Sequence, residues 1–169
     1  MRIVVIYESL FGNTKAVAEA VVAGLQHGPD VMLQSTLEEI DTSQADFVVI
    51  GGPTHAHGMS RATSRQVDEK GPAPLPGADT GLGIREVIKA MPTGDGKPVA
   101  TFDTRFDKAA WLTGSAAAVA AKKLTKQGYR VIADPESFMI EGGDGPLKPG
   151  ELDRARMWGK ELAELVLGG

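Results

Sequence analysis

Cysteine is missing from this 169-residue sequence. That excludes disulfides, thiolate metal sites, iron–sulfur clusters and a cysteine nucleophile, so any redox chemistry must be borrowed from a cofactor. Basic runs are missing too. The 18 lysines and arginines are outnumbered by 22 acids, and a net charge of −4 argues against nucleic acid, whose phosphates need a basic face. It is compatible with a basic protein partner without demanding one. The apolar run at the N-terminus is far too short for a signal peptide or a membrane span, so no membrane contact and a cytoplasmic location are expected. There are only three histidines, His27, His55 and His57. The last two alternate like ligands but lack a nearby acid, so no metal is expected.

Several nucleotide and catalytic motifs are absent as well. There is no Gly-Lys-Ser/Thr of a P-loop and no Gly-x-Ser-x-Gly elbow of a hydrolase. Gly81-Leu82-Gly83 neither follows a strand nor has the third glycine of a dinucleotide fingerprint. A response-regulator domain would need clustered acids after its first and third strands, yet the third strand here runs into Gly51-Gly52.

What is present suits one domain spanning residues 1–169, since 42% hydrophobic against 24% charged residues allows a proper core. Ile3 to Tyr7 is apolar without alternation, the pattern of a parallel strand buried on both faces. A helix from about Asn13 follows, with Val17, Val21 and Leu25 in one stripe and Gly28-Pro29 as its stop. Val31 to Thr36 reads as a half-polar edge strand, and Asp46 to Ile50 as a buried strand ending in a glycine turn. The pattern then predicts a helix over 60–70, an ordered loop over Gly71 to Gly77, and a short helix over Ile84 to Met91. A strand over Val99 to Phe102 and a long loop to an Ala-rich helix, Gly114 to Gln127, come next. The fifth strand spans Tyr129 to Ala133, with a possible resumption at Ser137 to Ile140. Glu151 to Val166 is the last helix, with Leu152, Ala155, Leu162 and Val166 inward. This alternation implies an α/β, doubly wound, five-stranded parallel sheet with right-handed crossovers.

Ser9-Leu10-Phe11-Gly12-Asn13-Thr14 sits where the first strand gives way to the first helix. Backbone N–H groups of a first helical turn are unpaired and carry partial positive charge, so a phosphate can be held there without a lysine. Ser9 and Thr14 add hydroxyl donors, and Gly12 permits close approach of backbone to ligand. An ordinary capped turn uses the same residues.

The hexapeptide resembles the phosphate loop of flavodoxins, in which Ser/Thr-x-x-Gly-x-Thr wraps the phosphate of FMN. Gly51-Gly52-Pro53-Thr54 resembles that family's second flavin-contacting loop, and order and spacing match over nearly the whole chain. The resemblance implies a flavodoxin-like strand order 2-1-3-4-5 with FMN outside the carboxyl ends of strands 1, 3 and 4. It also implies cofactor contacts from Ser9 to Thr14, from Pro53, Thr54, His55, Ala56, His57 and Gly58, and from Asp103, Thr104, Arg105 and Phe106, with Trp111 nearby. His55 stands where the family commonly has an aromatic stacked on the ring. Charged, it would stabilise the reduced, anionic flavin; a solvent-exposed loop histidine is the alternative. Ala56 stands where a peptide turns over on reduction, and Arg105 is a candidate donor to the ring's pyrimidine edge or a surface charge. Phe106 and Trp111 are candidates for the missing stacking face, and each is equally suited to the core.

The function so implied is electron transfer between a reductase and an acceptor protein, by a monomer or weak dimer. Two alternatives remain: an NAD(P)H-dependent quinone or nitro reductase, and a flavin-free interaction module of the same fold.

Overall fold

The computed structural model describes residues 1–25, 30–55 and 57–168. Gly28-Pro29, His27 and Ala56 therefore lie outside the described residues. The strands are β1 (Arg2–Tyr7), β2 (Asp30–Ser35), β3 (Phe47–His55), β4 (Gly58–Met59), β5 (Pro98–Phe106), β6 (Arg130–Val131) and β7 (Glu136–Ile140). The helices are α1 (Asn13–Leu25), α2 (Ile84–Ala90), α3 (Ala110–Thr113), α4 (Ala116–Lys126) and α5 (Glu151–Leu167).

The sheet runs β2-β1-β3-β5, and β6 and β7 share the remaining edge. The first of these pairs with Pro98 and Val99, the second with Phe102 to Phe106. All these pairings are parallel; only β4 runs antiparallel, against the end of β3. The expected order 2-1-3-4-5 is thus observed, with its fifth strand in two pieces.

Both faces of the sheet are covered, which explains the unbroken apolar strands. Ile3, Val5, Phe47 and Val49 pack with α1 and α5, while Val4, Ile6, Val48 and Ile50 pack with α2 and α4. Each such side chain contributes roughly 1.5–3 kcal/mol through the apolar area it removes from water. On the first face Phe102, Phe138 and Trp158 meet edge to face, with centroids 6.1–6.3 Å apart. Among the described residues no helix is long and apolar enough to cross a membrane, and no group of three or more acids and histidines could hold a metal.

Four expectations need correction. The 60–70 segment is not a helix; it holds only a 3₁₀ turn, Ala62–Ser64. Its side chains compete with the helical ladder: Ser64 Oγ accepts from Arg61 N, and Asp68 Oδ1 from Lys70 N. Gly51 to Thr54 is not a turn but part of β3, where a Cβ on Gly51 would strike the Phe102 ring. Asp103 to Phe106 is likewise strand rather than loop, held between β3 and β7. Leu152 is 42% exposed, and the inward position on α5 belongs to Trp158.

Candidate functional site

The loop after β1 leaves the first turn of α1 open. Its first backbone bond into the helix is Ala16 N to Gly12 O, 3.0 Å, so the N–H groups of Asn13, Thr14 and Lys15 precede the ladder. No acid occupies that first turn. Gly12 has φ +96°, and a Cβ there would meet no atom within 4 Å. Its N–H donates to Ser9 Oγ at 3.0 Å, which leaves the Ser9 hydroxyl hydrogen available to an anion. Thr14 Oγ1 and Thr104 Oγ1 lie 2.8 Å apart, both buried. If Thr104 donates, the Thr14 hydroxyl is also free to donate outward. The loop is braced from outside by Leu75 N, which donates to Leu10 O at 2.8 Å, giving the ordered 71–77 segment its role.

Strand geometry sorts the remaining candidates, because successive side chains point to opposite faces. Pro53, His55 and Thr104 line one cleft with Ser9, Leu10, Phe11, Asn13 and Thr14, closed by Ile140 and Gly143. Thr54 and Asp103 point the other way, to the start of α4. Asp103 Oδ2 accepts from Thr54 Oγ1 (3.1 Å), Ser115 Oγ (2.6 Å) and Ala117 N (2.9 Å), and Thr54 Oγ1 accepts from Ala116 N (2.8 Å). The protein's own carboxylate therefore fills the N-terminus of α4. That leaves the N-terminus of α1 as the one facing the cleft. The Asp103 and Thr54 side chains cap α4, and the Thr104 side chain joins the first loop.

Arg105 is committed to the protein: it donates to Ser137 Oγ (3.0 Å), Lys108 O (2.6 Å) and Thr113 Oγ1 (3.2 Å). Its Nε and Nη1 are held in this way, so it is not a free surface charge. Phe106 is 42% and Trp111 82% exposed, so neither is core. His55 is half-buried, its Nδ1 3.0 Å from Ser64 O. Burial pushes its pKa down, the Ser64 carbonyl partly opposes this, and the nearby Arg65 guanidinium pushes the same way as burial. Burial and Arg65 both favour the neutral ring over the imidazolium. His57 is exposed with φ +71°, and Gly58 is buried opposite His55.

Two features escaped the sequence reading. The first is a buried polar network beside the loop. Glu8 accepts from Ser60 Oγ and, at 2.9 Å, from Ile84 N; Arg65 donates to Ser60 Oγ at 2.8 Å and pairs with Glu86 at 3.2 Å. Burial pushes the Glu8 pKa up, against the hydrogen bonds from Ser60 and Ile84 and the Arg65 charge. A Cβ on Gly83 would fall 2.6 Å from both Arg65 Nη1 and Glu8 Oε2, so only glycine fits there. Isolated charged residues gave no signal of this pairing.

The second is the strap between β7 and α5. Its base is closed by Glu141 N to Pro146 O (2.9 Å) and Lys148 N to Met139 O (2.9 Å), and Lys148 pairs with Asp107. Its tip reaches the first loop, where Asn13 Nδ2 donates to Asp144 O at 2.8 Å. The three glycines in Glu141-Gly142-Gly143-Asp144-Gly145-Pro146 were the available sign of a close backbone approach.

Comparison with known proteins agrees with this architecture. A flavodoxin domain family model matches residues 4–67. No curated protein matches by sequence. Among solved structures, a flavodoxin from the domain Archaea is 23% identical with TM-score 0.68, covering 99% of both chains. Flavodoxin 2 from Bacillus cereus is 19% identical with TM-score 0.64, over 97% of this chain and 99% of its own. A flavodoxin, WrbA-like protein from Agrobacterium tumefaciens is 17% identical with TM-score 0.62, over 99% and 98%. The solved structures share the fold over full length, and the family match covers the segment that carries the first loop: the chain has the flavodoxin-like fold.

Proposed function

We propose that the protein binds FMN and carries electrons between a reductase and an acceptor protein, in the cytoplasm. The observation that carries this reading is the cleft itself. Ser9, Thr14 and Thr104 gather hydroxyls at the open first turn of α1, while the competing turn of α4 is already filled by Asp103. A phosphate fits such a donor set: N–H groups of Asn13, Thr14 and Lys15, the Ser9 hydroxyl, and no acid in the turn. FMN would supply the redox chemistry. The chain's part is to hold the phosphate, to favour the neutral form of His55 beside the cleft, and to offer apolar surface at the end of β5. There Phe106, Trp111 and Leu112 are 42%, 82% and 49% exposed. Exposed apolar side chains grouped at one end of a sheet suit contact with a ring or a partner protein.

The test is reconstitution. Purified protein incubated with FMN should retain a yellow flavin through gel filtration, and once reduced should pass electrons to a haem protein acceptor. Without a separate reductase it should oxidise NAD(P)H only negligibly in the presence of quinone. Steady NAD(P)H oxidation would instead make it a reductase, and failure to retain flavin would leave an interaction module.

A further inference from the structure

The Gly142–Gly145 strap has an observation of its own behind it, independent of the phosphate loop's sequence. It crosses from the far edge of the sheet to the N-terminus of α1 and is latched there by the Asn13 amide, 131 residues away. Contact is close enough that a Cβ on Gly145 would fall 2.5 Å from Asn13 Oδ1 and 2.6 Å from Nδ2. Gly143 of the same strap is a wall of the cleft that holds Ser9 and Thr14. Its base is pinned by two backbone bonds and by the Lys148–Asp107 ion pair, so the strap is anchored at both ends. The Asn13 side chain makes this latch through Nδ2, while its backbone N–H remains with the loop.

We propose that the strap sets ligand specificity by closing the cleft on the α1 side, so that an anion held there must be the terminal group of its ligand. This rests on the FMN reading above and deepens it: a flavin mononucleotide ends at its phosphate and is admitted. A flavin dinucleotide carries a second phosphate and an adenosine on that same phosphate, and needs an open path where the strap lies. Specificity of this kind comes from obstruction of the wrong ligand rather than from extra contacts with the right one.

The experiment compares dissociation constants for FMN, FAD and riboflavin, by flavin fluorescence quenching, in three proteins: unmodified, Asn13→Ala, and a variant lacking Gly143 and Asp144. Asn13→Ala removes the latch but keeps the backbone N–H and a good helix former, and circular dichroism reports whether each variant folds. The unmodified protein should prefer FMN over FAD by at least about 100-fold. Unlatching or shortening the strap should narrow that ratio about tenfold or more through a gain in FAD affinity, with riboflavin unchanged. A ratio that does not move in either folded variant overturns the strap's role while leaving FMN binding intact. Loss of FMN affinity in Asn13→Ala with no gain for FAD would place the amide on the phosphate and overturns the latch. No flavin bound by the unmodified protein overturns both readings.

Discussion

Replacing Thr14 by valine separates two roles that one hydroxyl fills. Thr14 and Thr104 are 2% and 3% exposed and share a 2.8 Å hydrogen bond. Thr14→Val leaves the Thr104 hydroxyl buried without its partner, which should cost about 1–3 kcal/mol of folding stability. Thr104→Val should cost a similar amount. Replacing both partners by isosteric apolar groups should be nearly neutral, because no unpaired group remains. Binding behaves differently. If the Thr14 hydroxyl donates to the FMN phosphate, its loss removes a charge-assisted bond of about 1.5–3 kcal/mol, or about 12- to 140-fold in Kd. The double variant cannot restore that bond. Urea unfolding of the four proteins should therefore show strong non-additivity, the double variant being far less destabilised than the two single variants together. FMN titration should show weak binding in both Thr14→Val and the double variant, and riboflavin, which lacks the phosphate, should bind all four alike. Recovery of FMN affinity in the double variant would refute the reasoning, since Thr14 would then act only by holding Thr104.

Gly12→Val should abolish FMN retention while the fold persists, because φ +96° strains a side-chain residue by about 1–2 kcal/mol and its Cβ would project into open space at the loop; tight FMN binding by the variant would contradict this. Burial raises the Glu8 pKa above 4.5, so its contribution to stability is full below that pH and is lost as pH rises through the folded-state value. Urea midpoints taken from pH 4 to pH 8 should then show Glu8→Gln gaining on the unmodified protein as pH rises, and a constant difference would count against it. The His55 pKa is lowered from 6.5 by burial, so its contribution is present above that pH and lost as pH falls through the folded value. An imidazole titration followed by NMR should give His55 a midpoint below 6.5, and a midpoint above it would restore the charged histidine.

The sequence by itself was enough to place β1 and the buried part of β3, because strands covered on both faces must be apolar at every position, and Ile3 to Ile6 and Phe47 to Ile50 are. It also marked the loop from Ser9 to Thr14 through its glycine and hydroxyl residues, although Leu75, Thr104 and Asp144, which brace that loop, were not legible. The layer order followed from the alternation of these elements. Tertiary structure decided what each face of a strand does. Pro53, Thr54 and His55, or Asp103 and Thr104, are contiguous in sequence, yet the two-residue period sends alternate side chains to the cleft and to the cap of α4. Which side is which depends on the register between β3 and β5, set by crossovers no local pattern encodes. The same holds for Glu8 and Arg65, two charges far apart in sequence that packing buries together with Ser60. The strap shows the limit most directly. Its glycines announce that backbone will come close to something, and only the folded sheet, by bringing β7 beside β5 and the strap onto α1, determines that the something is Asn13.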